Sequence, residues 1–520
     1  MCGRPGKAMR NRQQVVEPHE TGHSFFNLVT EKPPAVVIAL LFAYLIIYRI
    51  ATPPISALIL DSGAEHIGLR AISNSILQLS LFFPIIFMRR VGIFHPLAFP
   101  TLFGVAFDAI FQPLHLALPF IISFKPFLEM STSYSIYMSA LPPTEYSLLN
   151  VKSDLVHSFF LIFTYAGFAL ASSLKVPTFG RKFPANANYT FAAKLYLLCT
   201  ITLATAFIIG RGGVESQIVS FYQGRYETLA GWGAIFAPVK TAAVALMLWI
   251  AVASRLGKDF WLALMVLAPL YWLVDGSRSS LLILILSCLV VYAMKRRRIP
   301  TKMILASGAF AFVAFGFLGI IRQDFRADSV DLSAISEAGI VDAIAASQKE
   351  TSKRSAEEAD LAAILTADEH SGRLWGRSYL AVVAYPIPRA IWEEKPKNIY
   401  TYVNWVAFQG NSADSFAPQT WGIPIEASTE AYWNFGHLGV CGVALMVGLM
   451  LGCIFRSFKL NPQSPILLII YIQSLLYLTG DSRMALYFVQ NVCAALIMTA
   501  IAVIAASKAH NSPARSSILK

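Results

Sequence analysis

The chain has 520 residues, of which 56% are hydrophobic and only 14% charged, and its formal net charge is +12. So apolar a composition excludes a soluble enzyme and a disordered chain, and it is typical of a protein with many membrane-spanning helices. The basic residues are concentrated in short loops between apolar stretches, so we interpret the charge as a signal for membrane orientation and expect no nucleic-acid partner.

Apolar stretches long enough, or nearly long enough, to cross a membrane recur along the whole chain. They lie at about 35–50, 71–88, 97–121, 155–174, 191–210, 235–254, 260–275, 279–294, 302–321, 436–456, 464–479 and 484–506. Lys and Arg favour alternate loops and both termini, which the positive-inside rule makes cytoplasmic. We therefore predict an all-α polytopic membrane protein with about twelve transmembrane helices.

The spans divide the chain into five parts. These are a cytoplasmic tail at 1–33, a bundle of about nine spans at 34–321, a large external loop at 322–435, the last three spans at 436–507 and a second cytoplasmic tail at 508–520. Within the loop, helical spacing of apolar residues and the helix-stopping Pro386 and Pro388 predict short amphipathic and re-entrant helices. We interpret the acidic run at 357–360 as the solvated face of one of them.

Several charged residues lie in or beside predicted spans. Asp108, inside the third span, is either a functional group or a helix-packing hydrogen bond. Arg211 stands among three glycines, where it either holds a phosphate or simply follows a helix end. Asp275 and Arg278 lie at the tip of a tight helical hairpin, which is either an exposed ion pair or a ligand site.

The densest polar segment runs from 373 to 439 and combines basic, acidic and aromatic side chains. Arginine binds phosphate through a planar fork and keeps its charge, so the segment predicts a site for a lipid-linked anion that carries sugar. The aromatic residues Trp392, Trp421 and Tyr432 suit stacking on sugar rings, although an interfacial aromatic belt would look the same. Glycosyl transfer benefits from a base near the attacking hydroxyl, and the candidates are Asp275, Asp324, Glu426, Glu430 and His437. The chain has none of the common metal-binding motifs, so we predict no metal ion and no other cofactor.

Two short motifs resemble those of the Wzy family of oligosaccharide repeat-unit polymerases. The first comprises Pro388, Arg389, Trp392, Lys395 and Pro396, and the second comprises Glu430, Asn434, Phe435, Gly436 and Gly439. The Gly-Ser-Arg at 276–278 and the pair Arg322 and Arg326 are similar to the family in placement. The order of spans, with a large external loop late in the chain, also resembles that family.

The resemblance implies a GT-C-like, metal-independent glycosyltransferase at the periplasmic face of the bacterial inner membrane. It would transfer a growing glycan from undecaprenyl pyrophosphate onto a new lipid-linked repeat unit, among membrane lipids and with a chain-length regulator as a further partner. The residues expected to bind pyrophosphate are Arg389, Arg278 and Arg322, and the external Arg326, Arg211, Arg377 and Lys395 are further candidates. The expected catalytic residue is Glu430, with Asp275 and His437 as the other candidates.

Two alternatives stay open at this point. An O-antigen ligase shares the topology and the lipid-linked donor but delivers the finished chain to lipid A core. A flippase for lipid-linked oligosaccharides would be expected to place charges along a central cavity and to show repeat symmetry. The polar residues of this chain instead lie at the outer ends of its spans, and the two motifs favour a polymerase of O antigen or exopolysaccharide.

Overall fold

The computed structural model of the chain describes residues 27–51, 66–102, 104–105, 142–174, 188–214, 216–217, 238–253, 255–275, 278–296, 356–369, 373–384, 387, 391–397, 399, 402–403, 425–477 and 482–511. The helices in this part of the chain are α1 (Asn27–Thr30), α2 (Ala35–Tyr44, followed by π-helical turns at Leu45–Ala51), α3 (Ile67–Phe87), α4 (Pro143–Ser173), α5 (Tyr189–Gly210), α6 (Ala242–Val252), α7 (Lys258–Asp275), α8 (Arg278–Arg296), α9 (Ala356–Glu369), α10 (Arg377–Ala384), α11 (Ala427–Leu460), α12 (Pro465–Tyr477) and α13 (Arg483–Asn511).

Five of the described helices are long and apolar enough to cross a membrane. They are α3, Thr144–Ser173 of α4, α5, α11 and Ala485–Ser507 of α13. Shorter apolar helices occur at Ala35–Ala51, Pro238–Val252 and Pro465–Leu476. The prediction of an all-helical membrane protein is therefore confirmed for the described residues, while the count of about twelve spans stays a prediction. The stretch at 302–321 and most of the stretch at 97–121 lie outside the described residues.

The larger hydrophobic core is built around α6. Residues Ala242–Ile250 of this helix are buried on every side, and α6 packs against α5, α8, α12 and α13. A short helix that is apolar all round is stable only when neighbouring helices or lipid enclose it. The apolar sequence of α6 therefore accounts for its central place in this part of the bundle.

A second unit is the pair of long helices α4 and α11. At Gly167 an added Cβ would overlap the Leu445 carbonyl, and at Gly448 it would overlap the Thr164 carbonyl, so the two backbones approach closely. Small residues at such positions are what allows helices to pack at short range. With 31 residues, α4 measures about 46 Å at 1.5 Å per residue, more than the roughly 30 Å of a bilayer core.

The excess length of α4 provides a surface for the smaller helices. Helix α4 begins at Pro143, whereas the predicted span begins at 155, so residues 143–154 extend the helix beyond its most apolar part. Near that end, α9 packs on both α4 and α11, and α10 packs on α11. The polar end of the α4–α11 pair, with α9 and α10, is where the candidate site lies.

Candidate functional site

A break in α11 at Gly436 organises the site. This glycine has φ 68° and ψ −156°, which is outside the helical region and favours glycine. The peptide N–H groups of Leu374 and Trp375 donate to the carbonyl oxygens of Trp433 (3.1 Å) and Asn434 (3.2 Å). Carbonyl groups at a helix end need such partners, so the turn before α10 caps the first part of α11.

Asn434 fixes α10 to α11. Its side chain is fully buried, and its Nδ2 donates to Ser378 Oγ (2.8 Å) and to the carbonyl oxygen of Glu430 (2.8 Å). Its Oδ1 accepts a hydrogen bond from the peptide N–H of Gly376 (2.8 Å). Three bonds from one buried amide hold the start of α10 in a single position relative to α11.

The neighbouring residues of the Glu…Asn-Phe-Gly…Gly motif also have packing roles. The ring of Phe435 stacks on the ring of Tyr379, with centroids 6.2 Å apart and an angle of 14° between the planes. At Gly439 an added Cβ would overlap the Cβ of Phe435. Packing therefore explains the Asn, the Phe and the final Gly of this motif, but it does not explain its glutamate.

Glu430 lies in the first turn of α11 and is 4% exposed. The Ser378 side chain hydrogen-bonds to its carboxylate, and no described Lys, Arg or His forms an ion pair with it. Burying a carboxylate without a cation costs several kcal/mol of folding free energy. Such a residue lowers stability, and this is a common mark of a functional position.

Tyr379 follows Ser378 on α10 and is near enough to this carboxylate to be affected by its charge. Its hydroxyl oxygen is buried and has no hydrogen-bond partner among the described residues. Burial, with the nearby Glu430 carboxylate, raises the pKa of Tyr379 well above its usual value, so the phenol stays protonated and is a hydrogen-bond donor. The site thus combines a buried acceptor and a buried donor, both placed by the same Ser378–Asn434 contact.

Asp360 lies where α9 meets the start of α11. It is 4% exposed, and its Oδ1 accepts a hydrogen bond from the peptide N–H of Glu426 (2.8 Å), the residue before the helix. Burial raises the pKa of Asp360 to about 7; the nearby His157 lowers the pKa and Glu426 raises it further. The interpretation of 357–360 as a solvated face is therefore wrong for Asp360, because α9 packs this side chain against α4 and α11.

Two of the predicted site residues are in contact on α11 itself. Tyr432 is 3% exposed, and its ring centroid lies 5.1 Å from Lys152 Nζ and 5.1 Å from the His437 ring. His437 is exposed and follows the break at Gly436, whereas Glu430 precedes it. The predicted sugar stacking of Tyr432 and the catalytic role of His437 stay predictions.

The predicted basic ligands that are described lie in two places. Arg377 begins α10 and is exposed, and Lys395 donates from Nζ to the carbonyl oxygen of Ile387 (3.0 Å), near the partly exposed Trp392. Arg211 follows α5, with its guanidinium carbon 5.5 Å from the centroid of the Phe207 ring. Helix α5 packs on α6, α7 and α13, so Arg211 belongs to a different part of the molecule from Glu430.

Several predictions fall on residues whose side chains are not described. Arg389, Arg322, Arg326, Trp421, Asp324 and Asp108 lie outside the described residues. For Asp275 and Arg278 the structure describes only the backbone, at the end of α7 and the start of α8. Their proposed roles stay predictions.

Sequence reasoning missed Ser378, Tyr379 and Asp360. The one sequence signal near them is the spacing of Ser378, Ala381 and Ala384, the small residues that form the buried face of α10. Small residues three apart indicate a helix face in close contact with a neighbour. That spacing predicts that one face of α10 packs closely on another helix, but it does not predict which helix.

Comparison of the chain with family models, with characterised proteins and with solved structures finds no match. The composition and the helices of the described residues indicate an all-helical membrane protein.

Proposed function

We propose that this protein is a polysaccharide polymerase of the Wzy type in the bacterial inner membrane. It transfers a growing O-antigen or exopolysaccharide chain from undecaprenyl pyrophosphate onto a new lipid-linked repeat unit, at the periplasmic face, with both termini in the cytoplasm. The observation that carries the proposal is the buried Glu430 carboxylate, which has no cationic partner among the described residues and is held next to α10 at the polar end of two long helices.

In this proposal Glu430 acts as the base. A hydroxyl group of the acceptor sugar gives its proton to the carboxylate while its oxygen bonds to the anomeric carbon of the donor. The bond between that carbon and the pyrophosphate oxygen breaks, and undecaprenyl pyrophosphate leaves with the electron pair. A base held within hydrogen-bonding reach of the attacking group accelerates such a step by about 10²–10⁴-fold.

The leaving pyrophosphate gains negative charge in the transition state, and fixed cations stabilise it. Arg389, in the segment that follows α10, is the principal candidate, and Arg377 and Lys395 flank it in sequence. Arg278, Arg322, Arg326 and Arg211 are the further candidates. Arginine suits this task because its guanidinium binds phosphate oxygens in pairs and is never deprotonated.

The test is a gel of surface and lipid-linked glycans from cells in which the gene for this chain is deleted. We expect lipid A core capped with a single repeat unit, and we expect long polymer to return when the wild-type chain is supplied. Long polymer stranded on undecaprenyl pyrophosphate would instead identify a ligase. Repeat units trapped at the cytoplasmic leaflet would identify a flippase, and an unchanged profile would contradict all three functions.

A further inference from the structure

The pair formed by Glu430 and Tyr379 determines which chemical group fits between them. Tyr379 offers an O–H donor whose oxygen is buried and has no hydrogen-bond partner among the described residues. Leaving such a group unsatisfied costs about 1–3 kcal/mol, so a ligand atom that accepts from it is favoured. Glu430 on α11, which is hydrogen-bonded to Ser378, the residue before Tyr379, offers a carboxylate that accepts.

A single ligand atom that serves both residues has to accept one hydrogen bond and donate another. A phosphate oxygen accepts from Tyr379 but is repelled by the Glu430 carboxylate. An ammonium group donates to Glu430 but has no lone pair for Tyr379. A hydroxyl oxygen does both, so the chemistry of the pair selects an alcohol.

The pair is held firmly enough to be selective. Ser378 and Asn434 hydrogen-bond at 2.8 Å between α10 and α11, and the Tyr379 ring is stacked on Phe435. Binding groups whose positions are fixed by such contacts lose little entropy when the ligand arrives. Other buried polar groups without a described partner lie on α11 or next to its start, namely the Trp433 indole N–H and the Ser428 and Ser482 hydroxyls.

We infer that the face between α10 and the first turns of α11 binds the acceptor sugar through one hydroxyl group, which accepts from Tyr379 and donates to Glu430. This inference rests on the proposed function and makes it more specific. The acceptor sugar is then held by this pair, whereas the arginines of the proposed function hold pyrophosphate. Tyr379 is then a residue that positions the acceptor hydroxyl, and Glu430 is the residue that removes its proton.

The test is Tyr379→Phe, which keeps the ring that stacks on Phe435 and removes only the hydroxyl. The matched control is Tyr402→Phe, since Tyr402 lies against Trp433 in the same region and has no part in the proposed site. Two probes are titrated into the purified full-length protein in nanodiscs. One is undecaprenyl-pyrophosphate-linked oligosaccharide extracted from the cells that make this protein, and the other is undecaprenyl pyrophosphate without sugar.

We expect the wild-type protein to bind the sugar-bearing lipid more tightly than the bare lipid. Tyr379→Phe should weaken binding of the sugar-bearing lipid by about three- to tenfold, as one lost hydrogen bond predicts, and leave binding of the bare lipid unchanged. Tyr402→Phe should bind both probes as the wild type does. The melting temperature of Tyr379→Phe, measured in parallel, should equal or exceed that of the wild type, because the buried hydroxyl that is removed has no partner among the described residues.

Equal binding of both probes by the wild type, or equal weakening of both by Tyr379→Phe, would overturn the inference. Failure of the proposed function looks different. If cells lacking the chain still make polymer of normal length while Tyr379→Phe selectively weakens the sugar-bearing probe, the hydroxyl site stands and the polymerase function does not.

Discussion

The guanidinium group of Arg373 lies against the α-carbon of Gly436, in the space that a side chain at position 436 would need. This contact links the turn before α10 to the break in α11, in addition to the backbone bonds from Leu374 and Trp375. Gly436 thus meets two requirements at once, a positive φ and room for an arginine.

Gly436→Ala should therefore be strongly destabilising. The new methyl group strains a backbone with φ 68° and overlaps the Arg373 guanidinium, and each effect costs on the order of 1–3 kcal/mol. We expect a clearly lower melting temperature of the purified protein in detergent, together with loss of polymer in cells. Gly442→Ala is the control, because no atom of the described residues lies within 4 Å of a Cβ at that position in the same helix. If Gly436→Ala and Gly442→Ala melted alike, the break would not need its glycine.

The helical elements follow from the sequence because hydrophobicity and helix-stopping residues act locally. The apolar stretches at 191–210 and 484–506 became α5 and α13, and Pro386 comes just after the end of α10. Glu430 at the head of a helix was likewise predictable, since the apolar stretch at 436–456 begins soon after it.

The site itself was only partly predictable, because its contacts join residues far apart in the chain. Ser378 meets Asn434 and Asp360 meets Glu426 across more than fifty residues, and no periodicity contains that information. Asp360 resembled a solvated acid because its sequence neighbours are acidic. Its burial depends on the docking of α9, which is a tertiary effect.

Asp360 should make the docking of α9 depend on pH. Its pKa is raised by burial to about 7, so between about pH 4 and pH 7 the folded state binds more protons than the unfolded state. Stability therefore falls as the pH rises through this interval. The groups facing Asp360 are His157 on α4, and Glu426 and Thr429 at the start of α11. After correction for the intrinsic exchange rate, the α9 amides should be better protected from hydrogen exchange at pH 5.5 than at pH 8.

Asp360→Asn tests this prediction, because asparagine keeps an oxygen that accepts from the Glu426 N–H and cannot ionise. Its α9 amides should exchange at nearly the same rate at both pH values once intrinsic exchange is corrected. Asp360→Ala removes the acceptor and should speed exchange at both. An equal pH dependence in the wild type and in Asp360→Asn would show that another group titrates.

Arg389 should be essential for polymer formation if it holds the leaving pyrophosphate. Arg389→Ala should abolish long polymer without changing the amount of protein in the membrane, and Arg389→Lys should also be poor because lysine lacks the bidentate fork. Glycan gels and immunoblots of complemented cells measure both effects. Lys397→Ala, a nearby basic residue outside the proposed ligand set, is the control. Normal polymer length with Arg389→Ala would remove this arginine from the site.

Glu430→Gln separates a functional carboxylate from a structural one. Glutamine has nearly the same shape and removes a buried charge that no described cation offsets, so the free energy of unfolding should stay the same or increase. Polymer formation should fall by at least about 10²-fold, because the acceptor hydroxyl loses its base. Glu426→Gln is the control. Glu426 bonds to Asp360 through its peptide N–H, and the substitution leaves that hydrogen bond in place. Thermal unfolding and a polymerisation assay with lipid-linked repeat units measure the two effects on the same preparation. A Glu430→Gln protein that melted early and still made long polymer would show that this carboxylate supports the fold rather than the reaction.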